Sequence, residues 1–237
     1  MKRLLTAILL LTAYALPTKH ANAQTEDFGA WFGFQLEKEI KDWTFSVGEE
    51  LRTTDAASDF YGSYTSLGID YSPFKHLKFG TSYQFILYND TEYDDIQPRH
   101  RLNFQTTGDL KWNRFKFSLR ERLQMTFKDE SERDYKMNPK TRWRNRLEVE
   151  YNIPKSKFTP AFSVESYYQL NNPDGNKFDG IRYKLTGAYK FNKRNKLELY
   201  AQYDNEINVK NPVDRTIIGL EYTLKLGKKK NKKEENE

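Results

Sequence analysis

The sequence predicts an all-β fold, an antiparallel up-and-down transmembrane β-barrel of about 10–12 strands. Three observations predict it. Apolar and polar residues alternate along segments of about ten residues, the length of a tilted membrane-spanning strand. The connections between these segments are alternately short and long, as at the two rims of an outer-membrane barrel. Mean hydropathy is −0.90, yet 15% of the residues are aromatic, which indicates that the two kinds of side chain are sorted onto opposite faces.

The first residues have the organisation of an export signal. Two positive charges precede an apolar run, Leu4–Leu16, and an Ala-x-Ala cleavage motif ends at Ala23. An N-terminal anchor helix is the alternative, but a membrane-spanning helix needs about 20 apolar residues and this run is shorter. We therefore predict a signal peptide over residues 1–23 and a mature chain that begins at Gln24.

The rest of the chain predicts one domain and a short tail. We assign residues 24–226 to the barrel and residues 227–237, which are charged and without pattern, to a disordered tail. The chain contains no Cys, so disulfides do not stabilise it. The formal net charge of +6 is concentrated in the export signal and the tail, so we expect no nucleic-acid partner.

Alternation can be followed segment by segment. In the first segment, residues 28–36, Phe28, Phe32 and Phe34 fall on one face and Gly29 and Gln35 on the other. The later segments are Trp43–Arg52, Ser66–Tyr71, Leu77–Leu87, Arg101–Gln105, Phe115–Met125, Arg142–Tyr151, Phe162–Leu170, Ile181–Phe191, Lys196–Asp204 and Arg215–Leu226.

The connections predict which rim each strand end faces. The short ones are Lys38–Asp42, Pro73–His76, Trp112–Asn113, Pro154–Lys157 and Asn192–Asn195, and the long ones are Thr53–Phe60, Asn89–Pro98, Lys128–Lys140, Asn171–Asp179 and Asn208–Asp214. If the short turns face the periplasm, the segments after residue 42 make about ten strands with both ends periplasmic. Segment 28–36 is then an eleventh that starts outside. It could be a lumen plug, a rim strand, or a sign of a miscount elsewhere.

Two further groups of residues bear on the membrane interpretation. Glu49, Glu121 and Asn145 fall on apolar faces, where ionisable groups facing lipid are unfavourable. A rim position, a bulge or a partner subunit would explain them, and we favour a rim or bulge. The aromatic residues near strand ends are typical of interfacial girdles: Trp43, Tyr71, Tyr88, Trp143, Tyr151 and Tyr222.

Several short motifs together suggest a family. They are Trp31, Glu49-Glu50-Leu51-Arg52, Gly80-Thr81-Ser82-Tyr83 after the turn at Pro73, Arg99-His100-Arg101, Arg120-Glu121-Arg122 and Arg142-Trp143-Arg144-Asn145-Arg146. With them, the layout resembles domain-of-unknown-function family 2490, an uncharacterised bacterial outer-membrane family common in Bacteroidota, over nearly all of the mature chain. The resemblance implies an outer-membrane barrel and supplies no activity.

The strongest chemical feature is charge on the parity that faces the barrel interior. Arginines on three consecutive strands predict a basic wall, and glutamates and Asp204 on neighbouring strands share its parity. A barrel of this size is roughly 20–24 Å across, so Arg side chains could pair with carboxylates on the opposing wall and fill most of the lumen. The candidate cluster is Arg99, Arg101, Arg120, Arg122, Arg142, Arg144, Arg146, Glu148, Glu150, Glu165, Glu198 and Glu221.

Two interpretations of this cluster compete. It is either a paired Arg–carboxylate network that plugs a small barrel, or an anion-attracting channel or site in which the arginine wall is the selectivity element. We favour the first.

We do not predict an enzyme. Only His76 and His100 remain once the signal is removed, and His100 has two neighbouring arginines and no Ser nearby in sequence. No His/Cys cluster suggests zinc and no Gly-rich loop suggests phosphate binding, so we expect no catalytic residue, metal or cofactor.

The predicted function is therefore an outer-membrane β-barrel of unknown specific activity, either structural or a narrow anion-preferring channel with a largely filled lumen. Its expected partners are outer-membrane lipid and small anions, and a monomer is favoured. The alternatives are an outer-membrane hydrolase and a soluble periplasmic ligand-binding barrel, in which the apolar face would point inward.

Overall fold

The computed structural model describes residues 25–90, 95–131 and 137–227. The predicted signal peptide, 1–23, lies outside the described residues, as does the predicted tail apart from Gly227. The described chain forms strands β1 (Thr25–Ile40), β2 (Trp43–Thr54), β3 (Asp59–Phe74), β4 (Leu77–Asp90), β5 (Asp95–Trp112), β6 (Phe115–Lys128), β7 (Lys140–Tyr151), β8 (Phe158–Gln169), β9 (Lys177–Lys190), β10 (Asn195–Glu206) and β11 (Val213–Leu226).

The eleven strands close into one barrel, which confirms the predicted all-β barrel class. Each strand pairs antiparallel with the next in sequence, and β1 closes the wall by pairing parallel with β11. The expectation of purely antiparallel pairing is therefore wrong at this seam. The reason is the odd strand number, because the first and last of eleven up-and-down strands point the same way.

Strand β1 settles the question left open for segment 28–36. It is neither a plug nor a rim strand, because it pairs along the wall with β2 on one side and β11 on the other. Side chains reinforce the parallel seam near the short-turn rim. Lys38 Nζ donates to the carbonyl of Gly227 at 2.5 Å, and Lys225 Nζ donates to Glu39 at 2.7 Å.

The connections alternate between two rims, as predicted, but the difference in length is smaller. Two-residue turns use Lys41 and Asn113 in the left-handed region, with φ of 53° and 54°, which tight hairpins require. At the other rim, β2 and β3 continue past a bulge at Arg52/Thr53, so the first predicted long loop shrinks to residues 55–58.

The two faces of the wall differ in polarity. Among the described residues, 33 large hydrophobic side chains are exposed and only six hydrophobic residues are buried, whereas 14 polar or charged residues are buried. Soluble proteins show the opposite distribution. The barrel therefore carries its apolar side chains outside and its polar ones inside.

Aromatic pairs lie on the outer face near the short turns. Trp43 stacks on Tyr71 with ring centroids 4.5 Å apart, and Phe115 lies 5.1 Å from Tyr151. Tyr88, which was also predicted for a girdle, instead faces the lumen. Its ring lies 3.4 Å from the guanidinium carbon of Arg99.

The predicted rim or bulge position is wrong for Glu49, Glu121 and Asn145. Glu49 lies in the middle of β2, opposite Thr65 and before the bulge at Arg52/Thr53. Glu121 and Asn145 are register partners near the middle of β6 and β7, whose pairing runs without a shift. Glu49 is satisfied within the wall, since it accepts hydrogen bonds from Ser63 and, at 2.6 Å, from Thr65.

Paired cysteines should cross-link the seam. Phe32 on β1 is the register partner of Leu220 on β11, and neighbouring strands lie within the Cα separation that a disulfide accepts. Because the native chain has no Cys, Phe32→Cys with Leu220→Cys should give a disulfide on oxidation, seen as a mobility shift in non-reducing electrophoresis. Phe32→Cys with Leu199→Cys, one strand further away, is the control and should not cross-link. A detached β1 would leave both pairs reduced.

Candidate functional site

The lumen is built from alternate residues of the strands. The predicted arginines lie on β5, β6 and β7, and the predicted glutamates on β7, β8, β10 and β11. The structure brings three of them into one buried group, Arg120, Arg144 and Glu165, whose exposed fractions are 9%, 8% and 2%. We call this group the Glu165 triad.

The Glu165 triad joins three adjacent strands. Arg120 Nη2 donates to Glu165 Oε1 at 2.5 Å, and Arg144 Nη2 donates to Glu165 Oε2 at 2.7 Å. Arg144 also donates to Gln124 Oε1 at 2.6 Å and to the Tyr167 hydroxyl at 3.1 Å. One carboxylate therefore neutralises two guanidinium groups in part, and the triad keeps a net positive charge.

Two further ion pairs lie nearer the long-loop rim. Arg142 donates twice to Asp179 Oδ2, at 2.6 and 2.9 Å, and Asp179 is 1% exposed. Arg182 forms a two-pronged pair with Asp204 at 2.6 and 2.7 Å. Asp204 has the inward parity predicted for it, whereas Asp179 and Arg182 were not predicted. Inward parity beside the outward Ile181 and Tyr183 is the signal that could have identified Arg182.

Opposite charges pair along the wall and not across the lumen. Lys116 binds Glu150 at 2.8 Å on the neighbouring strand, while Arg146 approaches Glu148 at 3.8 Å within one strand. Adjacent strands are about 4.8 Å apart, whereas opposing walls of an 11-stranded barrel are roughly 22 Å apart. The expectation that opposing ion pairs fill the lumen is therefore wrong.

The predicted cluster accordingly divides in two. Glu198 and Glu221 lie away from the arginines, directly opposite one another on β10 and β11. Lys196 binds Glu198 at 3.0 Å on this side. Glu198 and Glu221 thus lie on the far wall from the predicted basic wall on β5–β7, with Lys196 beside them.

Cation–π contacts connect the walls. The guanidinium carbon of Arg52 lies 3.8 Å from the Trp31 ring and 3.6 Å from the Tyr64 ring. Arg182 is 5.7 Å from Trp31 and 5.6 Å from Tyr167, and all these distances fall within the range of an attractive contact. We call this chain of contacts the cation–π belt; in order from β3 to β7 it consists of Tyr64, Arg52, Trp31, Arg182, Tyr167 and Arg144.

A cavity of about 190 Å³ remains in the long-loop half of the lumen. Its lining includes six arginines and three carboxylates, so its charge is positive. These residues are Arg52, Arg101, Arg142, Arg144, Arg182, Arg215, Asp179, Asp204 and Glu206.

Two lumen arginines contact only neutral acceptors. Arg101 donates to Thr126 Oγ1 at 3.1 Å and to Gln84 Oε1 at 3.4 Å. Arg122 donates twice to Gln105 Oε1, at 2.6 and 3.0 Å. Within the described ranges neither guanidinium group has a carboxylate partner.

Comparison with known proteins identifies the family. A model described as "Protein of unknown function (DUF2490)" matches residues 28–216, from β1 into β11. The chain belongs to this family. The resemblance stated from the sequence motifs is thereby confirmed. Neither the curated proteins nor the solved structures contain a match to the chain.

The histidines of this DUF2490 chain lie apart from the lumen cluster. His76, near the short-turn rim, lies 3.4 Å from Asp109, and His100 on the outer face contacts the Tyr83 hydroxyl at 2.7 Å. In the part of the chain that the structure describes, neither histidine bonds a serine, and no three potential ligands gather to hold a metal ion. The same ranges contain no helix of the length and hydropathy needed to cross a membrane.

Removing the charge of Glu165 should destabilise this DUF2490 barrel strongly. Glu165→Gln leaves Arg120 and Arg144 buried without a carboxylate, and breaking a buried ion pair costs about 3–5 kcal/mol. Glu150→Gln is the control, because its pair with Lys116 is partly exposed and such pairs contribute about 1 kcal/mol or less. Urea unfolding in detergent, followed by Trp fluorescence, measures both changes. Equal losses would show that the triad is no more stabilising than a surface pair.

Proposed function

We propose that the chain is an integral outer-membrane β-barrel protein, exported by a cleaved signal peptide over residues 1–23. We further propose that its lumen is a narrow, anion-preferring passage that side chains hold nearly closed. The observation that carries the proposal is the inverted polarity of the wall, with 33 exposed large hydrophobic residues outside and 14 buried polar residues inside.

Strand length and aromatic placement support the membrane location. The strands have 12–18 residues, and a tilted strand needs about 9–11 to cross a bilayer. Aromatic rings at the short-turn rim suit the boundary between hydrocarbon and headgroups. A soluble periplasmic barrel would direct its apolar face inward, so the polarity of this wall disfavours that alternative. The positions of the histidines disfavour a hydrolase.

The arginines support anion preference. Six of them line the cavity against three carboxylates. Arg101 also keeps its charge free of a carboxylate among the described residues, and rings of Arg are a known means of selecting anions in pores. The cation–π belt supports a narrow passage, because its contacts join side chains on β1–β3 to side chains on β7–β9 inside the lumen.

Planar-bilayer recording of the refolded mature chain, residues 24–237, tests the proposal. We expect small conductance steps whose reversal potential in a KCl gradient indicates anion preference. Arg101→Ala should lose that preference and Arg101→Lys should retain it, because only the charge is needed. Arg114→Ala, at the short-turn rim, is the control. Cation preference in the native chain, or failure to insert, would contradict the proposal.

Opening the cation–π belt should widen the passage. Arg52→Ala removes the guanidinium that bridges Trp31 and Tyr64, so we expect a several-fold larger conductance in the same recordings. Far-UV circular dichroism and resistance to detergent at room temperature serve as the control for folding. Unchanged conductance in a folded Arg52→Ala barrel would locate the constriction elsewhere.

A further inference from the structure

Four polar side chains form a row across the middle of the outer wall. They lie on β5, β6, β7 and β8 and are linked by strand register, because Thr106 is opposite Glu121, Glu121 is opposite Asn145, and Asn145 is opposite Ser166. We call this set the outer polar row. Apolar side chains flank it, among them Leu119, Leu123 and Leu147.

The hydrogen-bonding capacity of the outer polar row is mostly unused. Trp143 Nε1 donates to Glu121 Oε2 at 2.5 Å. Within the described residues, the side chains of Thr106, Asn145 and Ser166 make no hydrogen bond. Hydrocarbon offers no water to replace such partners, so polar groups there are satisfied by protein.

Glu49, which is also acidic and on the outer face, is arranged differently. Glu49 accepts hydrogen bonds from Ser63 and Thr65 on the adjacent strand, so its own wall supplies the donors. The contrast shows that an outward carboxylate can be satisfied within this wall, and that Glu121 is supplied only by Trp143.

We propose that the outer polar row is the contact by which two copies of this chain associate in the membrane. The inference rests on the proposed membrane location. A two-fold axis along the membrane normal, between β6 and β7, places Glu121 of one copy opposite Asn145 of the other. The carboxylate accepts and the amide donates, and the symmetry makes this pair twice, so the surface is complementary to itself.

The surroundings fit such a contact. On either side of the Glu121–Asn145 pair, Leu119 is opposite Leu147 and Leu123 is opposite Trp143. Leu119 and Leu147 are 51% and 54% exposed. A concave patch of about 380 Å³ beside Thr106, walled in part by Trp143, leaves room for a side chain from the second copy. The contact thus has a polar centre and an apolar margin.

The first experiment measures dimerisation of the refolded full mature chain in lipid vesicles. Insertion is established by flotation, and association is then followed by energy transfer between labelled copies as lipid is added. We expect the native chain to dimerise. The double variant Glu121→Leu with Asn145→Leu should dissociate at about tenfold higher protein-to-lipid ratio, the effect of losing two hydrogen bonds in lipid. Glu49→Leu, the same change elsewhere on the outer face, should behave as the native chain.

The second experiment locates the axis. A copy carrying Leu119→Cys mixed with a copy carrying Leu147→Cys should form a disulfide-linked dimer on oxidation. A mixture of Val47→Cys and Leu67→Cys copies, which are register partners on β2 and β3, should not.

The outcomes separate the two proposals. A chain that does not insert overturns the membrane location and, with it, this inference. A native chain that inserts but stays monomeric at every lipid ratio overturns the inference alone. A dimer that the Glu121→Leu and Asn145→Leu changes leave intact also overturns it, because the copies then meet through another surface.

Discussion

The parallel pairing of β1 with β11 is the constraint on which the rest of the structure depends. This pairing satisfies the backbone hydrogen-bonding groups of β1 and β11, which would otherwise be edge strands. In water an open edge would be free to pair with another chain, and in lipid its backbone groups would stay unpaired. Closure at eleven strands also sets a lumen roughly 22 Å wide. At that width the Trp31 ring on β1 contacts both Arg52 on β2 and Arg182 on β9. The seam that closes the wall therefore also positions the ring that links these two arginines.

Arginine suits this lumen for two separate reasons. A guanidinium group forms two-pronged bonds to a carboxylate, as Arg182 does with Asp204, and its plane can stack on an aromatic ring, as Arg52 does between Trp31 and Tyr64. Lysine offers a point charge in place of this planar fork. Because strand spacing limits carboxylate pairing to near neighbours, charge on β5–β7 is only partly neutralised, and the lumen keeps a basic wall.

Alternation along the sequence predicted the strands, the barrel and the side of the wall on which most charges lie, because a period of two follows directly from the pleat. It could not predict the seam, since pairing between the first and last strands leaves no local signal. Alternation places Tyr88 inside, since its even position on β4 follows the inward Gln84 and Ile86, and the girdle prediction for this residue was wrong because it did not follow that parity. Alternation did not predict the ion pairs, because parity assigns a face and says nothing of which neighbour on that face a side chain meets.

The polar residues at apolar positions of the alternation show the same limit, because parity does not identify the neighbours of a side chain. Glu49 and Glu121 share an outward parity and a chemical type, and the pattern treats them alike. Their neighbours decide the difference. Glu49 accepts hydrogen bonds from two hydroxyls on β3. Glu121 accepts one from Trp143 on β7, and its register partners Thr106 and Asn145 do not bond to it. A polar residue on the apolar face of a closed wall is therefore structural when the adjacent strand supplies its partner. Where the adjacent strands supply no partner, as for Thr106, Asn145 and Ser166 among the described residues, the wall alone cannot account for the polar group.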